Sequence, residues 1–203
     1  LLEPASGDVV VNGRVVTGLP AAARHRDCGI AYVPEDRNRV GLVMDHTVEE
    51  NLILRSHPYW PFSWKGFLRL GENRRHALEK IEQFDIRLRS EKQVARDLSG
   101  GNQQKIILAR ELHGNPVVIV VAQPTKGLDV GAIDFVQQKL IEQRNQGAAI
   151  LYISTELEHL FEVTDQIAVI FKGRIVGELP PQEATVDRLG LMMSGAQSTG
   201  GVP

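Results

Sequence analysis

From residue 99 onward, apolar stretches and polar helical stretches alternate along the chain. Residues 101–113 carry a helical pattern that leads into VVIVV (117–121), five β-branched positions that predict a strand buried on both faces. A second helix is expected over 131–146, closing on Gly147, and leads to the strand AILYI (149–153). A helix at 156–163, a strand at 166–171, a turn at Lys172-Gly173, the returning strand RIVGEL and a last helix at about 183–193 complete the series. Strands separated by helices of this length predict βαβ units and a mainly parallel sheet. The first part of the chain reads differently. GDVVVNGRVV predicts a hairpin about Asn12-Gly13, and a short strand is expected at Ile30 to Val33. Thr47, with Glu50 three positions on, forms a capping box that starts a helix. Residues 55–70 hold both tryptophans, two prolines and two phenylalanines, followed by a polar helix at roughly 71–84. This stretch breaks the alternation and is read as a helical lobe inserted in the α/β core. Its aromatic cluster is either a docking surface or a small core under a loop.

The resulting organisation is a β-rich part at 1–43, the lobe at 44–105, the α/β core at 106–193 and a small polar tail at 194–203 expected to be disordered. The opening LLEPASGDV has neither an initiator Met nor a leading strand-loop-helix, so the chain reads as cut from a longer one. The net charge of −2 argues against nucleic acid as a partner. Cys28 is the only cysteine, which excludes an internal disulfide and a Cys-based zinc site, and it is expected to be packed rather than reactive. No apolar run approaches the ~20 residues of a membrane span, so any link to a membrane is expected to run through a partner. The six histidines show no metal-ligand spacing and are read as surface or capping residues. Arg37 and Arg39, in EDRNRV, face either a phosphate or a partner, or simply solvent; the solvated loop is the expected reading.

The octet LSGGNQQK (98–105) carries the chemistry. Ser99 is a good N-cap, Gly100 and Gly101 permit close approach of a ligand to backbone, and the helix behind them presents free N–H groups and a positive dipole end. These features suit a phosphate. The octet resembles the signature motif of ATP-binding cassette (ABC) ATPases. Other pieces follow in the family's order: YVPEDR at the Q-loop place, VVIVVAQPT at the Walker B place, GLD (127–129) at the D-loop place and YISTELEHL at the switch-histidine place. The resemblance covers about residues 5 to 195. VPEDR, LSGGNQQK, PTKGLDVGA and MMSG look like the C-terminal half of the fused ATPase subunit of bacterial simple-sugar and nucleoside importers.

The resemblance implies a P-loop NTPase fold: a parallel-sheet core with an antiparallel β edge and an inserted helical lobe. The strand and helix that carry a Walker A loop, G-x-x-x-x-G-K-[ST], are missing from this sequence. That leaves an open edge and an exposed apolar face through which the chain is expected to self-associate. The resemblance also implies a site with four departures. Ala122 stands where the family's Mg²⁺-holding Asp is, Gln123 at the catalytic Glu, Thr155 at the switch histidine and Glu35 at the Q-loop glutamine. A methyl group cannot hold a metal, and an amide cannot accept a proton. Ser99, Gly100, Gly101 and Gln103 remain fit to cover ATP held by another half, and Asp129 to reach across a dimer. The implied protein is the C-terminal nucleotide-binding half of an importer ATPase, degenerate at its own site. The other reading is an active half in which Gln123 or Glu35 replaces the base. The implied cofactors are ATP and Mg²⁺ in the full assembly, with none held tightly by this chain alone. The implied partners are the N-terminal ATPase half, transmembrane permease subunits and, indirectly, an extracytoplasmic solute-binding protein. The implied place is the cytoplasmic face of the bacterial inner membrane. A chromosome-maintenance head shares an LSGG signature but would bring long coiled coils or a zinc module, and neither pattern occurs here.

Overall fold

In the computed structural model, residues 6–195 are described. They fall into two compact units, divided between Ile153 and Ser154. The first unit is built around three parallel strands: β3 (Ile30–Val33), β6 (Val118–Ala122) and β7 (Ala149–Ile153), in the order β3-β6-β7. Tyr32 pairs with Val120, which pairs with Leu151, so the three side chains share one face of the sheet. The opposite face carries Ala31, Val33, Ile119 and Val121, all fully buried. The face of Tyr32, Val120 and Leu151 is half-buried to open, so β6 is enclosed on one side rather than both. An exposed apolar sheet face was expected and is present.

The buried face packs against α4 (Gly100–Glu111), which has nine buried residues in succession, Gln103 to Glu111. A helix enclosed all round shows no apolar stripe, and polar side chains within it need internal partners. Lys105 finds them in Asp85, whose backbone O is 2.7 Å and whose Oδ2 is 2.9 Å from its Nζ. Helix α5 (Val130–Asn145) connects β6 to β7, adding Val136 and Leu140 to the same core. A left-handed Gly147 follows it, with φ of 99°.

Two further elements precede β3: a hairpin, β1 (Val10–Val11) and β2 (Arg14–Val15), turning at Asn12-Gly13, and α1 (Ala21–Cys28). Cys28 is half-buried at the end of α1 rather than enclosed. The inserted lobe holds α2 (Val48–Leu52) and α3 (Leu70–Gln83). The capping box forms as expected, Thr47 accepting from Glu50 N–H and Glu50 from Thr47 N–H. Asn51, fully buried, braces the preceding loop: its amide donates to Val43 O and Thr47 O and accepts from Val43 N–H. The lobe is not wholly helical. A two-residue turn at Lys65-Gly66 joins β4 (Ser63–Trp64) to β5 (Phe67–Leu68). His76 corrects the surface reading of the histidines: it is buried, edge-on to Phe62 and His113 with ring centroids 4.9 and 4.8 Å away.

The second unit contains α6 (Leu157–Val163), an antiparallel pair β8 (Ile167–Phe171) and β9 (Arg174–Leu179), and α7 (Val186–Ser194). Its core is Ile167, Val169, Leu179, Leu189 and Met192. Thr185 caps α7, accepting from Arg188 N–H at 3.2 Å. Ser194 is helical and Gly195 caps its end; the rest of the expected tail, 196–203, lies outside the described residues. No helix among the described residues is long and apolar enough to cross a membrane.

Candidate functional site

Three loops of the first unit meet around the start of α4. The first follows β3. Pro34 ends the strand, Asp36 caps a π-helical turn over Arg37–Gly41 by accepting from Asn38 and Arg39 N–H, and Arg37 leaves this turn toward the other two loops. The second is the signature loop. Ser99 is the N-cap of α4, its hydroxyl accepting from Asn102 Nδ2 at 3.0 Å, and it is exposed with its neighbour Gly100 partly open. The third follows β6. Gln123 adopts a left-handed φ of 48°, its N–H donates to Ile153 O at 2.8 Å, and the chain turns tightly through Thr125 to Asp129.

Arg37 joins the three. Its Nη1 donates to Lys126 O at 2.9 Å. Its Nη2 lies where a Cβ added to Gly100 would stand 3.4 Å away, and one added to Gly127 3.9 Å away. Burial lowers the guanidinium's pKa, opposed in part by Asp36, and leaves it a cation. The solvated-loop reading of this arginine is therefore replaced by a position beside the signature glycines; Arg39 stays exposed. Gly101 is closely packed: a Cβ there would lie 3.0 Å from Ala132 Cβ, a tight approach, and 3.7 Å from Asp129 Oδ2. Asp129 is the N-cap of α5, its Oδ1 accepting from Ala132 N–H at 2.9 Å. Its second oxygen faces the signature loop.

The expected site residues divide. Ser99, Gly100, Gly101 and Asp129 come together. Gln103 points inward, buried, and donates to Ala95 O at 3.1 Å, so it supports the loop that precedes Ser99. Ala122 and Gln123 stand half-buried at the end of β6. Glu35 is exposed and paired with Lys126, Nζ to Oε1 at 2.6 Å. Thr155 is exposed in the second unit, at the turn ahead of α6. Sequence reading missed Lys126 as the partner of Glu35; lysine directly after the strand-end turn was the available signal.

A divalent cation does not fit the end of β6. Ala122 offers a methyl and Gln123 an amide, and the exposed carboxylate of Glu35 is ion-paired with Lys126. Among the described residues, no group of three or more His, Cys, Asp or Glu could hold a metal. The start of α4 suits an anion: glycine backbone, a hydroxyl, a helix N-terminus and a guanidinium beside it.

Residues 1–126 match the family described as ABC transporter. The chain belongs to the ABC transporter family. It is 46% identical over 196 residues to the guanosine import ATP-binding protein NupO of Bacillus subtilis, covering 97% of this chain and 38% of that protein. It is 43% identical to the nucleoside import ATP-binding protein NupA of Lactococcus lactis, covering 96% of this chain and 38% of that protein. The ribose import ATP-binding protein RbsA of Roseobacter denitrificans is 35% identical over 93% of this chain and 36% of its own length. The chain thus spans well under half the length of these relatives. The dimeric ATP-binding cassette MJ0796, in a post-hydrolysis state with ADP and Pi, superposes with a TM-score of 0.71 at 24% identity, over 88% of this chain and 75% of that one. This likeness establishes the ABC ATPase fold, with its parallel core.

Proposed function

We propose that this ABC transporter chain is the C-terminal nucleotide-binding half of an importer ATPase, and that it assists hydrolysis at a site it does not itself house. The observation that carries the proposal is the contrast between two ends. Strand β6 finishes on Ala122 and Gln123 without a carboxylate, while Ser99, Gly100, Gly101 and Asp129 stand together at the start of α4. The first end can neither hold a metal nor accept a proton from water. The second supplies N–H donors, a hydroxyl and a helix dipole to a phosphate brought by another half. ATP is the implied ligand; the chain's part is to orient and neutralise its phosphates, while Gln103 keeps the loop in place from inside. The pairing of Glu35 with Lys126 argues against Glu35 as a substitute base.

A nucleoside is the proposed cargo, on the identity to NupO and NupA, with a simple sugar as the runner-up on the identity to RbsA. The proposed partners are the N-terminal ATPase half, permease subunits and, indirectly, a solute-binding protein, at the cytoplasmic face of the membrane. The test is Ser99→Arg in the full-length subunit reconstituted with its permease. A long side chain on the N-cap blocks the phosphate face, and transport-coupled ATP hydrolysis is expected to fall by about 10²-fold or more, the range set by losing phosphate-stabilising donors. Unchanged hydrolysis would refute the assisting role.

A further inference from the structure

The hydroxyl of Ser99 is oriented as well as placed. Two donors of Asn102 reach its oxygen: the side-chain Nδ2 at 3.0 Å, and the backbone N–H at 3.5 Å, which is the ordinary N-cap bond. The amide of Asn102 is not free to turn over. Its Oδ1 accepts from Arg87 N–H at 2.8 Å, and a backbone N–H can face only an acceptor, so Nδ2 is the atom that faces Ser99. The Arg87 segment is in turn pinned to the same face of α4. Lys105, three positions on from Asn102, donates to Asp85 O and Oδ2, and Ile86 between Asp85 and Arg87 is buried.

A hydroxyl carries one proton and accepts in two places. With both places taken by Asn102, the proton of the exposed Ser99 is left to point away from the helix. Helix α2 shows the opposite polarity. There Glu50 holds the third helical position, the one Asn102 holds in α4, and the Thr47 hydroxyl donates inward to Glu50 Oε2 at 2.8 Å. A carboxylate at that position draws the proton of the cap in, whereas the amide of Asn102 turns it out. A phosphate oxygen offers lone pairs only, so it is attracted by an outward O–H and repelled by outward lone pairs. We propose that Asn102 is a positioning residue: its amide, fixed by Arg87 N–H, holds the Ser99 hydroxyl as an outward donor to a phosphate oxygen of ATP. This inference deepens the assisting role of the signature loop and rests on it.

The experiment uses the full-length subunit with its permease and reads kcat/KM for ATP. Asn102→Asp keeps the size of the side chain and the bond from Arg87 N–H, but it can only accept, so the Ser99 proton turns inward as it does at Thr47. Hydrolysis should fall by about 10²-fold, the loss of one anion-stabilising donor. Asn102→Ala leaves the hydroxyl free to rotate toward the phosphate and should cost under about tenfold. The charge that aspartate adds is separated by repeating the substitution on Ser99→Ala, where no hydroxyl remains to be turned. There Asn102→Asp should cost at least about tenfold less than it does beside Ser99. Far-UV circular dichroism checks that each variant keeps the fold. Three results overturn the proposal: Asn102→Asp as active as the unaltered subunit, Asn102→Asp costing the same factor with and without the hydroxyl, or Asn102→Ala costing as much as Asn102→Asp, the mark of a merely structural amide. Ser99→Arg tells the two levels apart. Unchanged hydrolysis in that variant refutes the assisting role itself, while its collapse alongside any of the three results refutes only the part given to Asn102.

Discussion

Replacing Glu111 by alanine should destabilise the first unit more than any surface change. Glu111 is the last residue of α4, about 17 Å along the helix from the signature loop at its start. Its carboxylate is fully buried, accepts from Arg110 Nε at 3.0 Å and from the N–H of Tyr32 in β3 at 3.3 Å, and is ion-paired with Arg55. Arg110 is 4% exposed and has one other bond, Nη2 to Gly41 O at 2.6 Å, at the end of the turn that carries Arg37. Removing the carboxylate leaves a buried guanidinium without its counter-charge, a loss of about 3–5 kcal/mol. At roughly 2–4 °C per kcal/mol for a chain of this size, the melting temperature should fall by about 6–20 °C. Glu111→Gln keeps an acceptor for Tyr32 and should cost about 2 kcal/mol. Arg75→Ala removes two exposed, solvent-screened ion pairs, with Glu72 and Glu79, and should leave the melting temperature nearly unchanged. The assay is thermal unfolding followed by circular dichroism, with all three variants at one pH and salt. If Glu111→Ala melts within 2–3 °C or so of Arg75→Ala, the argument that a buried network ties α4 to β3 and the Arg37 turn is wrong.

Three other expectations are open to direct measurement. Asp129→Ala removes the cap of α5 and should cost about 1 kcal/mol, whereas Asp129→Ser keeps the cap; if the carboxylate also works across a dimer, the serine variant of the full-length subunit regains stability but not ATP turnover. Gln123→Glu alone should leave hydrolysis by the full-length subunit unchanged, because Ala122 still provides no metal ligand; a rise of about tenfold or more would contradict that assignment. Burial, with help from His113 and Lys80 against the opposing Glu79, pushes the pKa of His76 down to about 4. The unfolded chain then takes the proton first as the pH falls. Stability from this site is complete above the ordinary histidine value of about 6.5 and is lost toward about 4, with a slope of up to ~1.4 kcal/mol per pH unit. Urea midpoints at about pH 7 and about pH 5 measure it, and a His76→Leu variant should show a shallower dependence.

Features set by near neighbours were legible in the sequence. Continuous apolar runs located β6 and β7, and the helical pattern located α5, to within a residue or two, and Thr47 with Glu50 formed the box its spacing predicts. The Lys65-Gly66 hairpin escaped because its apolar residues point outward, so the usual alternation of inside and outside never arises. His76 escaped because a polar helix with one enclosed ring has the composition of a surface helix. Gln103 was expected at the ligand face, and nothing in the sequence singled out Lys105, Arg110 or Glu111, yet each of the four is enclosed. What encloses them is contributed by Ala95, Asp85, Arg55, Tyr32 and Gly41, none of which is marked by its own pattern.

The same distinction applies to the proposed site: motif order points to Ala122 and Gln123 at the strand end but not to the charges that stand beside them. Ala122 and Gln123 are read from a position within a strand-and-turn motif, which is local. Whether Glu35 is free to act depends on Lys126, 91 residues away, and whether Arg37 faces solvent depends on Lys126 O, 89 residues away. Helix and strand periods carry no information across such separations; only the packing of β3 beside β6 brings these groups together. Once they are adjacent, the electrostatics follow. Glu35 and Lys126 meet at 2.6 Å as an exposed, solvent-screened ion pair beside Ala122 and Gln123. Beside it, the Arg37 guanidinium adds positive charge at Gly100, where the start of α4 already favours an anion. In the proposed reading, the packing that sets Lys126 against Glu35 also brings Arg37 to Gly100, the end offered to a phosphate.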